Sequence, residues 1–234
     1  MTTIQSEYRT VHLPATDIFE AIDSRHSVRQ YESRPVPPEI LYELLTRALR
    51  APSWKNSQPW KFYAVTGASR ERMSAALLAA ATAGAPTPDT AWTETYPAAA
   101  KRRMFDLGMQ IYGVAGIDRK DRAARDEFML DNFRFFGAPV AVFITTDFDC
   151  NFFTGLDIGC ALHSMLVLAR AYGLGACPQA ALGAFPDVVR RELNLPATEK
   201  VVCGLSLGYP RPGAPLNEFH TPRLPATEAI RIFD

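Results

Sequence analysis

The chain has 234 residues, 47% hydrophobic and 21% charged, and its 25 lysines and arginines balance 25 aspartates and glutamates. That is the composition of an ordinary globular chain, long enough for one large domain or two small ones with a substantial core. Zero net charge argues against sequence-independent nucleic-acid binding, which needs a dense basic face to displace counterions.

The N-terminal stretch MTTIQSEYRTVHLPATD lacks the apolar run of a signal peptide. No run of about 18 apolar residues escapes interruption by charge. The expectation is a cytoplasmic protein that does not engage a membrane. Cys150, Cys160, Cys177 and Cys203 form no CxxC and have no histidine at ligand spacing. They read as reduced, mostly buried thiols, and no metal site is expected.

In chain order, residues 1–16 read as an irregular arm. Asp17 caps a short helix, DIFEAIDS, with Ile18, Phe19 and Ile22 on one face. The basic cluster SRHSVRQY follows. PPEILYELLTRALRAP then reads as a helix with prolines in its first turn and a stripe of Ile40, Leu41, Leu44, Leu45 and Leu49. SWKNSQPW is a polar loop, and KFYAVTG a strand closed by Gly67.

Residues 69–83 read as an alanine-rich helix and 84–97 as a loop. A further helix starts near Ala98, and the charged stretch up to NFRFF continues it. VAVFITTD is a buried strand. TGLDIGCALHSMLVLARAYG is a long, nearly apolar helix with Gly173 at its C-cap. GLGACPQAALG is compact, a loop or short strand. AFPDVVRRELNLP is an amphipathic helix, EKVVCGLSLGYP a strand, and RPGAPLNEFHTPRLPATEAIRIFD an extended, proline-rich tail.

Helices and strands mix without a regular βαβ rhythm, which points to an α+β fold. The apolar helix needs cover on every side, and the tail ends in apolar Ile230, Ile232 and Phe233. These two features point to a homodimer; a central core helix with a tail folded on its own body would explain them as well. No GxGxxG follows a strand, and GxxxxGK[ST], GxSxG and HExxH are all missing. A phosphate-bearing cofactor would have to be held mainly by side chains.

The basic cluster supplies such side chains. Guanidinium groups can meet two phosphate oxygens at once, and a serine hydroxyl adds another bond. Arg25, Ser27 and Arg29 alternate along an extended segment. Taken alone, the cluster reads equally as cations favoured at a helix C-terminus.

The order of motifs carries more. RHSVRQY, RPVPPEIL, APSWKNSQPWKF, NFRFFGAPVAVFI, GLGACPQAAL, GLSLGYP and a late Arg-Leu-Pro follow one another from about residue 17 to about 230. In this the chain resembles the flavin-dependent nitroreductase family. The long insertion YPAAAKRRMFDLGMQIYGVAGIDR resembles that of bacterial nitroreductases of the nitrobenzoate type.

The resemblance implies one domain spanning 1–234, with a helical lid over about 84–130 and an extended C-terminal arm over about 211–234. It implies a nitroreductase-like fold: a central, mostly antiparallel sheet flanked by helices, in an intertwined homodimer with FMN at the subunit interface. Arg25, His26, Ser27 and Arg29 are implied FMN contacts, Arg25 nearer the phosphate and Arg29 near the ring. Ser53 and Asn56 would approach from the partner subunit. Pro178, Gln179 and Ala180 would lie along the ring, and Arg223 would reach the phosphate. Thr221 stands where some relatives carry a lysine.

The activity implied is an NAD(P)H oxidoreductase that reduces nitroaromatics by ping-pong hydride transfer through FMN, with NADH or NADPH as donor. A quinone or enone reductase of the same fold, or a non-catalytic flavin-binding protein, are the alternatives. No acid–base residue stands out as catalytic. Trp54, Tyr96 and Tyr112 are candidate walls of an aromatic substrate slot, or else core or dimer contacts. Arg102 and Arg103 could attract a substrate carboxylate or form a solvated helix face.

Overall fold

The computed structural model describes residues 14–234. Residues 1–13, most of the expected irregular arm, lie outside the described residues. Four strands, β1 (Lys61–Thr66), β2 (Val140–Thr146), β3 (Gly175–Gln179) and β4 (Lys200–Gly208), form one sheet in the order β1-β2-β4-β3. The ladders between the four strands are all antiparallel, in keeping with the mostly antiparallel sheet expected, and one isolated parallel bridge joins Ser27 to Ala176 on β3. The segment GACPQ, ambiguous in sequence, is drawn into strand β3 by pairing with β4.

β2 is buried along its whole length, because helices cover both faces of the sheet. Val140, Val142 and Ile144 face one apolar cluster while Ala141 and Phe143 face the other, the period-two alternation of a pleated strand. The first cluster is built on α2 (Pro38–Ala48) and α6 (Phe152–Ala171), counting α1 as Ile18–Asp23. The second is built on α3 (Gly67–Ala83) and α7 (Pro186–Leu193). Gly67 sits at φ +49°, a left-handed conformation that lets the chain turn directly from β1 into α3.

The lid region forms α4 (Ala98–Val114) and α5 (Arg122–Leu130), not the one continued helix expected from sequence. Gly116, at φ +71°, breaks it, and Asp121 caps the restart by accepting a hydrogen bond from the Ala124 N–H at 2.9 Å. α6 ends as its glycine indicated. The Leu174 N–H reaches the Ala169 carbonyl at 2.8 Å, the Gly173 N–H reaches Arg170 at 3.1 Å, and Gly173 takes φ +68°. That is a Schellman closure.

α6 has the length and mean hydropathy (20 residues, 1.6) to cross a bilayer. Its buried stripe, however, includes Asp157 and Arg170, and both bond to other parts of the chain: Asp157 accepts from the Trp54 N–H, and Arg170 donates to Ser24 Oγ. Its opposite face leaves Phe152 and Leu156 exposed, as α1 leaves Ile18, Phe19 and Ile22. The tail contributes two single-turn helices, α8 (Pro215–Glu218) and α9 (Ala226–Ala229), and its last apolar residues, Ile232 and Phe233, are about nine-tenths exposed (90% and 89%).

One buried carboxylate braces the sheet's open end. Glu199 receives hydrogen bonds from Thr145 and Lys61 and interacts with Tyr63. Burial pushes its carboxyl upward, but these donors outweigh it and hold the group below the usual glutamate range. A depressed native pKa stabilises the fold above the ordinary glutamate value of about 4.3, and that stability disappears as pH falls through the native value. Glu199→Gln should therefore lower stability at pH 7 by roughly 1–3 kcal/mol and flatten the acid limb of the stability–pH curve. Denaturant titrations between pH 3 and 7 test this; an acid limb unchanged from wild type would contradict it.

Candidate functional site

The segment after α1 runs extended along the outer edge of β3. Ser27 bridges Ala176 in parallel, and the Val28 N–H bonds the Ala176 carbonyl at 3.1 Å. This close approach requires glycine at 175: a Cβ there would stand 2.5 Å from Val28 Cγ2 and 2.7 Å from Pro210. The segment then crosses to the chain beyond β4, with Tyr31 bridging Pro210.

Asn217 on α8 fixes this crossing. Its Oδ1 accepts from the N–H groups of Arg29 and Gln30 at 2.9 and 3.1 Å, and its Nδ2 donates to the Gln30 carbonyl at 2.7 Å and to that of Arg211 at 3.2 Å. Buried to 3% exposure, it ties the arm to the basic segment. Nothing local in the sequence marks Asn217 as a clamp, because Gln30 and Arg29 lie 187 and 188 residues away.

Two of the expected cations come within electrostatic reach of each other. The Arg223 charge acts on Arg25, whose guanidinium is held below its usual range by burial first and by Arg223 second. Neither arginine has a carboxylate partner among the described residues. His26 and His220 bring the same two segments together, ring centroids 4.5 Å apart. The His26 ring is held below its usual range mainly by burial, with His220, Arg170 and Arg25 adding to the effect. Arg223 is oriented by the Thr221 hydroxyl and carbonyl at 2.6 and 2.9 Å. Two like charges held together without a counterion form a site for a dianion.

Arg29 occupies the other end. Its Nη1 lies 3.4 Å from the Ser27 carbonyl, and its charge acts on Cys177. Burial pushes the Cys177 thiol up to about 11 although Arg29 and Ser27 work against it, so Cys177 stays a thiol at neutral pH and is no nucleophile. Pro178 is half-buried and Ala180 exposed at the end of β3. The Gln179 side chain is buried and already committed: its Nε2 donates to the Asn132 carbonyl and Oδ1 at 2.9 and 3.2 Å, and its Oε1 accepts from Ser206. Asn132 is thus a residue of this site that the sequence reading passed over. Only the NFRFF motif containing it gave a signal. A cavity of about 590 Å³ opens beside Arg29, walled by Tyr31, Ser74, Phe128, Arg134 and Arg211.

The remaining candidates lie elsewhere. The loop with Ser53 and Asn56 takes three left-handed residues, Lys55, Asn56 and Gln58, and is pinned to α6 by Asp157. Ser53 Oγ accepts from the Gln58 N–H at 2.9 Å, and Asn56 Oδ1 from Gln58 Nε2 at 3.1 Å. Trp54 stands edge-on against Phe153 at 4.1 Å and is about half exposed. These bonds tie the loop to itself and to Asp157 on the buried stripe of α6, with Trp54 against Phe153, and none reaches Arg25 or Arg29. Tyr112 packs edge-on against Phe128, joining α4 to α5 behind the cavity. Tyr96 lines a separate cleft between α4 and the arm that also includes Arg223.

The sequence profile described as the Nitroreductase family matches residues 22–209. The chain belongs to the nitroreductase family. It is 33% identical over 209 residues to a 4-nitrobenzoate reductase of Pseudomonas putida, covering 89% of this chain and 92% of that one. A 4-nitrobenzoate reductase of Nocardioides sp. (strain LMS-CY) is 34% identical, with 93% and 91% covered. Among solved structures, the FMN and NADPH-dependent nitroreductase NfnB from a Sphingopyxis strain superposes with a TM-score of 0.89 at 31% identity, over 93% of this chain and 99% of that one. The Mycobacterium smegmatis NfnB in complex with NADPH gives 0.88 at 29% identity, over 93% of this chain and all of that one (100%). The all-antiparallel sheet flanked by helices agrees with that family fold.

Proposed function

We propose that this chain is an FMN-dependent NAD(P)H nitroreductase acting on nitroaromatic compounds. The observation that carries the reading is the Arg25–Arg223 pair, drawn from opposite ends of the chain and left without a carboxylate. The residues fit FMN. Arg25 and Arg223 hold its phosphate, with the His26 and His220 segments closing around it. Ser27 and Arg29 line the ring edge, with the backbone of Pro178, Gln179 and Ala180 along the ring, since the Gln179 amide is spent on Asn132 and Ser206.

When bound, FMN supplies the two-electron chemistry, taking hydride from a reduced nicotinamide and passing it to the acceptor. The protein positions and polarises. Arg29 places a fixed positive charge where negative charge gathers on the reduced ring, in a partly desolvated cleft. Gly175 and Asn217 hold the segment that carries Arg29. No side chain is assigned a proton transfer. Reduction of a nitro group to nitroso consumes a hydride, which carries both electrons and one hydrogen, and one further proton from solvent, and it releases water. Donor and acceptor would use the same site in turn, and the expected kinetics are ping-pong.

The same reading includes a cytoplasmic homodimer of one domain per chain, with a lid over 84–130 and an arm over 211–234. The exposed Phe152, Leu156, Ile18 and Phe19 support it, because an apolar face of that kind is normally covered. In this dimer Ser53 and Asn56, on the loop held by Asp157, complete the partner's FMN site. Leu156→Asp should reduce the sedimenting mass from twice 25.9 kDa towards that of one chain. A wild-type protein that sediments as one chain would contradict the dimer.

An anaerobic spectral titration tests the activity. FMN-loaded protein should lose its visible absorbance on adding NADPH or NADH and regain it on adding 4-nitrobenzoate or nitrobenzene. A bound chromophore that neither donor bleaches would refute the reading.

A further inference from the structure

The loop between α2 and β1 runs against the preference of its own backbone. Lys55, Asn56 and Gln58 stand at φ +50°, +57° and +50°, a left-handed region that is costly for residues with a side chain. A carboxylate from another element holds the turn. Both oxygens of Asp157, on α6, accept from the Trp54 N–H at 3.1 and 3.0 Å, and the Ser57 hydroxyl lies 3.4 Å from Oδ2. Asp157 is only 7% exposed and forms no ion pair among the described residues. A buried carboxylate without a cation costs free energy, and here its side chain bonds only to the loop.

The turn decides which polar groups the loop offers outward. The Gln58 N–H takes up Ser53 Oγ as acceptor, and Gln58 Nε2 takes up Asn56 Oδ1. The Ser53 hydroxyl hydrogen and the Asn56 amide hydrogens have no acceptor among the described residues. The loop therefore keeps its acceptors for itself and presents donors, the complement of an oxygen-rich ligand. Trp54 stands edge-on against Phe153, beside the exposed Phe152 and Leu156 of α6. The donors thus belong to a loop that borders the apolar face assigned to the partner subunit.

We infer that Asp157 is a positioning residue for the flavin site of the partner subunit: it fixes the strained turn that presents the Ser53 hydroxyl and the Asn56 amide as donors to an FMN held mainly by the other chain. The inference rests on the proposed FMN-binding dimer and deepens it. Asp157 itself touches no cofactor. Its distinguishing consequence is direction: loss of Asp157 in one chain impairs the site of the other chain, whereas a residue that only supports its own subunit impairs its own.

Mixed dimers test this. Two differently tagged chains, one Asp157→Ala and the other Arg25→Ala, are co-expressed and the doubly tagged dimers isolated and stripped of flavin. One site then joins an intact Arg25 to an intact loop, and the other site carries both defects. Asp157→Ala homodimers should bind FMN about tenfold more weakly than wild type, the effect of losing a charge-assisted hydrogen bond, and Asp157→Asn, which keeps an acceptor for the Trp54 N–H, should recover part of the loss. The mixed dimer should show one site of wild-type FMN affinity and about half the wild-type turnover of NADPH and 4-nitrobenzoate. If the Asp157→Ala chain does not assemble, Asp157→Asn replaces it, with a loss of about threefold in its homodimer and the same single wild-type site in the mixed dimer. Unchanged FMN affinity in the Asp157 homodimers, or a mixed dimer without a wild-type site, would overturn the inference while the wild type still binds FMN and turns over. A wild-type protein that binds no FMN would refute the nitroreductase reading and the inference with it.

Discussion

Two guanidinium groups from opposite ends of the chain, Arg25 and Arg223, stand together without a carboxylate to balance them. Like charges brought close in a partly buried place repel, and the fold bears that cost only because other contacts over-determine both segments. Asn217 clamps the backbone at 29–30, His26 meets His220, and Gly175 lets the basic segment settle onto β3. Binding a phosphate relieves the repulsion.

The rest of the architecture positions that site. The buried strand β2 carries apolar residues on both faces, so helices must cover both, and β3 falls at an edge of the sheet where an extended segment can join it. In the site proposed above, the ring end and the phosphate end draw on different parts of the chain. Arg29 and the end of β3 serve the first; the start and the C-terminal arm serve the second.

Much of this was legible in the sequence, for physical reasons. Alternation and β-branched content marked β1, β2 and β4, and Gly173 marked the end of α6, because these signals act over a few residues. The chain-wide order of RHSVRQY, PSWKNSQPW, NFRFFGAP and the late arginine carried the family. Other features were not legible because they depend on residues brought together only by folding. Asn217 reads as an ordinary loop asparagine until Arg29 and Gln30 arrive beside it, and Gly175 as a flexible residue until Val28 packs on it. Gln179 was read as a cofactor contact, yet Asn132 and Ser206 take up its side chain. The lid helix was read as continuous because its charged residues hid the break at Gly116.

The central claim is that the paired arginines bind a phosphate ester, and comparing FMN with riboflavin, which has the same ring without the phosphate, tests it most directly. Fluorescence titration of the apo protein should give FMN an affinity at least a hundredfold above that of riboflavin, and the advantage should collapse in Arg25→Ala/Arg223→Ala. Equal affinities for the two flavins in the wild type, or an FMN advantage that survives the double substitution, would contradict the account.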